Sequence, residues 1–225
     1  MLLRVFVGFD PREAVAYHVC VNSLIATASR PLAITPLALN TLAGMYKEQH
    51  TDGSNAFIYS RFLVPYLCGF SGPALYIDGD MIVKDDIAKL FEFAEPGKDV
   101  MVVKHDYKTK AGKKYLGNTN EQYEKKNWSS VMLFPNCSNF PVQKLTPKFV
   151  SERTGEFLHQ FHWTSPDRVG KLPKEWNWLV DEYTHNDDAK LLHYTLGTPC
   201  FSDYANCDHA GEWFNEFHMA ANVDG

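Results

Sequence analysis

Apolar positions along the chain switch between short continuous runs and a roughly helical spacing. Residues 3–9 form a β-branched and aromatic run that reads as a buried strand, broken at once by Asp10-Pro11. Over 12–28, Ala14, Val15, Val19, Leu24 and Ile25 recur at roughly helical spacing, and Pro11 suits the first turn of that helix. Residues 32–39 return to a strand pattern. A strand–helix–strand opening implies a right-handed crossover and a largely parallel sheet. Residues 55–67 read as a helix with an apolar face of Phe57, Ile58, Phe62 and Leu63, ended by Gly69, Gly72 and Pro73. A short buried strand over 74–77 runs into Asp78-Gly79-Asp80, and the extended pattern resumes over 81–83. A short helix over 87–93 and a strand over 100–103 follow.

Residues 104–127 are polar and lysine-rich, a long loop of the kind that is either functional or mobile. The strand pattern returns over 131–134. Thr146-Pro147 supplies a cap and first turn for a helical stretch reaching 161, interrupted at Gly155. Residues 191–194 form the last strand, and 211–221 a closing amphipathic helix. With no repeat, linker or low-complexity tract, the pattern predicts one α/β domain over 1–225.

Composition narrows the function. Hydrophobic residues make up 45 % of the 225 positions, enough for a sizeable core. A net charge of -5 lacks the basic footprint of a nucleic-acid binder. No apolar run approaches a membrane span, and the apolar start is too short for a signal peptide. The cysteines, Cys20, Cys68, Cys137, Cys200 and Cys207, are odd in number and match no zinc or redox spacing, so reduced thiols in a soluble, cytoplasmic protein are expected.

The candidate chemistry lies at Asp78 and Asp80. Ligands of open α/β sheets sit beyond the carboxyl ends of strands, where both carboxylates fall. Two residues apart in an extended chain, they share a face and repel unless a cation neutralises them. Hard oxygen ligands favour Mg²⁺, Mn²⁺ or Ca²⁺. Gly79 between them removes a side chain where phosphates would approach. The competing reading is a turn, since Asp-Gly between apolar runs is also a strong hairpin signal.

The blocks Tyr59-Ser60-Arg61-Phe62-Leu63-Val64-Pro65-Tyr66-Leu67 and Ala74-Leu75-Tyr76-Ile77-Asp78-Gly79-Asp80-Met81-Ile82-Val83 resemble the centre of family 8 glycosyltransferases. Val7-Gly8-Phe9-Asp10 is similar to that family's nucleotide-base site. Trp128-Ser129-Ser130-Val131-Met132-Leu133 is similar to its Asn-Ser-Gly-Val-Met-Leu strand. Leu191-Leu192-His193-Tyr194-Thr195-Leu196-Gly197 is similar to its late His-Tyr/Phe-x-Gly motif. The order of all the blocks is kept.

The resemblance implies a GT-A fold, with a mixed, mostly parallel sheet flanked by helices. It implies a retaining transfer of a hexose from a nucleotide-diphosphate sugar, such as a UDP-sugar, to a carbohydrate or other hydroxyl acceptor. Asp78, Asp80 and His193 would hold Mn²⁺ or Mg²⁺, which stabilises the departing nucleoside diphosphate. Phe9, Asp10, Ile77, Gly79 and Gly197 would line the donor, with Asp10 accepting from a uracil N–H. Arg61 would pair with a phosphate or hold sugar hydroxyls, and Gln160 would touch the donor sugar. Read without the resemblance, Asp10 is equally a helix cap, Arg61 an exposed helix residue, His193 a core histidine and Gly197 a plain turn.

Two positions depart from the family. Thr198-Pro199-Cys200-Phe201 carries no cation where a diphosphate-contacting lysine is usual, and Trp128 and Ser130 replace an asparagine and a glycine. Those departures would also suit a non-catalytic nucleotide-sugar binder. A sugar nucleotidyltransferase would need a glycine- and arginine-rich phosphate loop, which Val7-Gly8-Phe9-Asp10-Pro11-Arg12 does not supply. Trp128, Trp163, Trp176 and Trp178 are read as core aromatics that could alternatively stack on sugars.

Overall fold

The computed structural model describes residues 2–51, 55–110 and 112–221. In chain order its strands are β1 (Leu3–Gly8), β2 (Leu32–Leu37), β3 (Ala74–Ile77), β4 (Met81–Val83), β5 (Val100–Val102), β6 (Val131–Phe134), β7 (Val169–Lys171), β8 (Trp178–Leu179) and β9 (Leu191–His193). The helices are α1 (Ala14–Thr27), α2 (Val64–Leu67), α3 (Ala88–Phe91), α4 (Pro147–Ser151), α5 (Gly155–His159) and α6 (Ala210–Ala221), with short 3-10 turns between them.

Six strands form the main sheet in the order β2-β1-β3-β6-β5-β7. The pairs β1–β2, β1–β3 and β5–β7 are parallel, and β3–β6 and β5–β6 are antiparallel. β3 and β6 are buried at every position because both faces of the sheet are covered. Tyr76, Met132 and Phe134 point to one face, packed with Phe57, Phe62 and Trp163. Leu75, Ile77, Val131 and Leu133 point to the other, packed with Cys20, Leu24 and Trp176. A smaller sheet, β4-β9-β8, lies alongside, with β4–β9 antiparallel and β8–β9 parallel.

α1 makes the expected crossover from β1 to β2, but its buried stripe is Ala16, Val19, Cys20, Ser23 and Leu24. Val15 and Ile25, expected on the apolar face, are exposed. Small residues take the inner face because β4 packs closely there: Ser23 Oγ accepts from Val83 N at 3.0 Å while donating to the Cys20 carbonyl. α6 packs against α1 and buries Trp213 against Val19, Ile82, Leu192 and Tyr194.

The helix expected over 55–67 is instead a series of turns leading into a 3-10 turn, Ser60–Leu63, and the single-turn α2. The stretch from Thr146 splits as its sequence implies: Thr146 caps α4, the helix stops before Gly155, and Thr154 caps α5. Residues 104–127 are mostly irregular, yet Tyr115, Asn120 and Lys126 are buried. β7 and β8 were not expected. No helix among the described residues is long and apolar enough to cross a membrane.

Candidate metal centre and donor cleft

Two strand ladders converge on one point. Asp78 N donates to Ser130 O at 3.0 Å, just beyond the β3–β6 ladder. The chain then passes Gly79 and enters β4, where Tyr194 N donates to Asp80 O at 3.0 Å and Met81 lies opposite His193. Asp78-Gly79-Asp80 is therefore no hairpin, because β3 and β4 belong to different sheets. The registers bring Asp78, Asp80 and His193 together, all buried, with one ligand atom from each lying within 4.8 Å of the others.

Hydrogen bonding fixes what these groups present. Asp78 Oδ1 accepts from the Tyr76 hydroxyl at 2.6 Å and lies 3.0 Å from Arg61 Nη1. Its Oδ2 faces His193 Nε2 at 3.9 Å, and Asp80 Oδ1 faces the same nitrogen at 3.4 Å with no hydrogen-bond partner of its own. Behind the ring, His193 Nδ1 lies 3.0 Å from Asn177 Oδ1. Asn177 Nδ2 reaches the Asn127 carbonyl at 3.3 Å and Ser130 Oγ at 2.8 Å. A carbonyl can only accept, so the amide nitrogen belongs there and Oδ1 faces the imidazole. With Nδ1–H held by Asn177 Oδ1, a neutral ring, the form that binds a metal, would turn its Nε2 lone pair toward the two carboxylates. Buried acceptors facing one another without a donor are costly, and a cation resolves them. The mixed carboxylate and imidazole set, oriented by a second residue behind the histidine, fits a divalent metal.

Burial drives the Asp78 carboxyl above its ordinary range despite the Arg61 guanidinium beside it. At Asp80 burial pushes the same way, but in the metal-free site the charge and hydrogen bond of a protonated His193, with the Lys114 ammonium adding, outweigh it and the net shift is downward.

The other expected residues are distributed around this centre. Arg61 is buried, not exposed: it donates to the Ser129 carbonyl at 3.0 Å and packs over Phe57 and Tyr76. Asp10 is also buried. It caps the turn Pro11–Glu13, binds Arg12 through both oxygens and accepts from Ala56 N at 2.9 Å. Phe9 meets Tyr17 edge-on. The Ile77 side chain belongs to the core. A Cβ at Gly79 would drive into the Gly8 carbonyl oxygen, so close backbone approach explains this glycine. Gly197, at φ +155°, lies under the ring of Tyr204 and against Tyr115. Gln160 closes α5 and lines a larger cavity of about 590 Å³, which shares Ile58, Lys114, Asn118, Tyr123 and His159 with the cleft at the carboxylates. Of the tryptophans, Trp163 and Trp176 are core, whereas Trp128 is partly exposed beneath Lys104 and Lys125.

Three further residues complete the surroundings. Asn177 is fully buried behind His193. Glu13 receives the Tyr115 hydroxyl at 2.7 Å, while its other oxygen is buried without a partner. Burial, reinforced by the charge of Asp80, pushes the Glu13 carboxyl up to about 8. Lys114 extends into the cleft from the polar loop; burial pulls its ammonium down while Asp80 and Asp78 hold it up. The pattern Trp176-Asn177-Trp178, a polar residue between large aromatics, was the one sequence signal for any of them.

The sequence profile of glycosyl transferase family 8 matches residues 25–198. Protein CDI of Arabidopsis thaliana is 38 % identical over 221 residues, covering 95 % of this chain and 85 % of that protein. Among solved structures, the bifunctional glycosyltransferase WbbM superposes with a TM-score of 0.69 at 14 % identity, over 96 % of this chain and 49 % of that one. The Streptococcus pneumoniae glycosyltransferase GlyE gives 0.64 at 15 %, over 99 % and 63 %. The galactosyltransferase LgtC, solved with donor and acceptor sugar analogs, gives 0.56 at 13 %, over 99 % and 97 %. The chain thus spans about half of WbbM and under two-thirds of GlyE.

Proposed function

Because the chain belongs to glycosyl transferase family 8 and is a glycosyltransferase of the GT-A fold, we propose that it transfers a hexose from a UDP-sugar to a hydroxyl acceptor, with retention of configuration and with Mn²⁺ or Mg²⁺ bound. The observation that carries this reading is the buried meeting of Asp78, Asp80 and His193, with Asp80 Oδ1 left without a hydrogen bond. Asp78, Asp80 and His193 are the residues that would hold the cation, whose chemistry there is Lewis-acid stabilisation of the nucleoside diphosphate as it leaves.

The chain's own residues supply the rest. Arg61 neutralises Asp78 from behind and keeps that carboxylate aimed at the cleft. Asn177 keeps the His193 lone pair turned outward. Asp10, Phe9 and Gly197 flank the donor, and Gln160 faces the sugar from the adjoining cavity, which has room for an acceptor. Asp78 and Asp80 both belong to the cation set, so neither is placed as a nucleophile or as the partner in a spaced acid–base pair. The unpaired thiols support a reducing, cytoplasmic setting, and an apolar cluster shared by the two sheets, with Leu75, Met81 and Leu191 in it, supports one catalytic domain over 1–225.

Calorimetric titration of UDP into the protein, with and without Mn²⁺ and with GDP as comparison, tests the reading. Mn²⁺-dependent binding selective for UDP is expected, and Asp80→Asn should remove the metal dependence while leaving the protein folded. Equal binding of UDP with and without Mn²⁺, or unchanged binding in a folded Asp80→Asn protein, would sink the metal assignment.

A further inference from the structure

The cleft at Asp78 and Asp80 has a charge problem that a metal alone does not solve. A divalent cation balances the two carboxylates, and a diphosphate then adds at least two negative charges. Arg61 and Lys114 are the lysine and arginine residues that line this cleft. Arg61 is committed to Asp78 and to the Ser129 carbonyl. After Lys190 the chain contains neither lysine nor arginine, so the segment following His193 offers no cation.

Lys114 is differently placed. Its ammonium donates to the Thr195 hydroxyl at 3.1 Å, a neutral partner two residues beyond His193, and it forms no ion pair among the described residues. The backbone that carries it is firmly seated. Lys114 N donates to Asn118 O at 2.7 Å, and Lys113 and Thr119 form an antiparallel bridge. The next residue, Tyr115, donates its N–H to Leu196 O at 2.7 Å, stacks on Phe201 at 5.0 Å and hydrogen-bonds Glu13. The turn is thus tied directly to the segment that follows His193. A half-buried ammonium held in a fixed place, with donors to spare and no anion in contact, is set up to receive one.

We propose that Lys114 binds the diphosphate of the donor, reaching from the 113–119 turn to a phosphate oxygen beside Asp78, Asp80 and His193. The inference rests on the donor reading above and assigns part of its binding energy to the loop from 104 to 127, far in sequence from the metal ligands. That loop then carries a substrate-binding group as well as bounding the larger cavity.

The test uses Mn²⁺ alone and the Mn²⁺–pyrophosphate complex as calorimetric probes of wild type, Lys114→Met and Lys114→Arg. Lys114→Met should bind Mn²⁺ as tightly as wild type or more tightly, since a nearby positive charge is gone, yet bind Mn²⁺–pyrophosphate at least about tenfold more weakly. Lys114→Arg should recover most of that loss. A merely structural lysine would lower both affinities together, and that result overturns the proposal, as does wild-type pyrophosphate affinity in Lys114→Met. If wild type binds Mn²⁺ but not the pyrophosphate complex, the diphosphate role falls and the metal centre stands. If it binds neither, the metal reading and this proposal fail together.

Discussion

His193 Nδ1 and Asn177 Oδ1 lie 3.0 Å apart, and this contact sets which face of the imidazole the two carboxylates meet. Removing it frees the ring to rotate or to carry its proton on the other nitrogen. Asn177→Ala should therefore weaken Mn²⁺ binding by about 10- to 100-fold, as loss of an outer-shell partner commonly does. Calorimetry of a variant shown by circular dichroism to be folded checks this; unaltered Mn²⁺ affinity would mean that Asn177 only fills space.

Arg61 and Asp78 form an ion pair whose side chains are 5 % and 9 % exposed. Removing the guanidinium leaves a buried carboxylate facing Asp80. Arg61→Leu should cost about 3 kcal/mol in urea unfolding of the metal-free protein at pH 7, in line with breaking a buried pair from one side. Asp78→Asn in the same background should recover part of the loss, because the orphaned charge is then gone. Additive losses in the double variant would refute the coupling.

Glu13 offers a test by pH. Its carboxyl is raised from an ordinary 4.5 to about 8, by burial first and then by Asp80, with Asp10 and Asp78 adding and the Tyr115 hydroxyl opposing. Between those values the folded protein retains a proton that the unfolded chain has released. Stability contributed by the neutral carboxyl is therefore complete below about pH 4.5 and is lost as pH rises through about 8. Glu13→Gln keeps the neutral form. Its melting temperature should match wild type near pH 4.5 and exceed it at pH 8 in metal-free buffer. Parallel curves over that range would contradict the raised value.

Gly79 separates two explanations of one residue. A side chain there meets the Gly8 carbonyl, which belongs to a paired strand and has little room to yield. Gly79→Ala should lower the stability of the ligand-free protein by about 1–3 kcal/mol, the usual cost of overpacking. Thermal unfolding without nucleotide reads this directly. An unchanged melting temperature together with lost UDP binding would restore the phosphate-approach explanation.

What the sequence revealed and concealed follows from distance along the chain. β1, β3 and β6 are legible because strands covered on both faces are written as continuous apolar runs. β7 and β8 are three and two residues long and leave no periodicity to read. The 55–67 stretch mimics a helix because Phe57, Phe62 and Leu63 are core residues, but consecutive turns bury them as well as a helix would. Asp78 and Asp80 stand out because they directly follow a short apolar strand, whereas His193, inside one, is singled out only by the resemblance to the family's late motif. Lys114, Glu13 and Asn177 do not stand out, since their partners are 81, 102 and 16 residues away and only the folded chain joins them. The alternative reading of Arg61 as an exposed helix residue arose for the same reason: its carboxylate lies on another element.

Asp78 directly follows a strand of one sheet and Asp80 directly precedes a strand of the other. If the proposed ion binds between them, it would act as a rivet across a seam, with Gly79 as the covalent hinge beside it. Occupancy of the centre then becomes a mechanical property of the protein. At about a hundredfold excess over its dissociation constant, Mn²⁺ would add roughly 2.7 kcal/mol to global stability. The increment should register as slowed amide exchange in both sheets together, which on the proposed reading would make the metal-free protein open along the same line at which the donor enters.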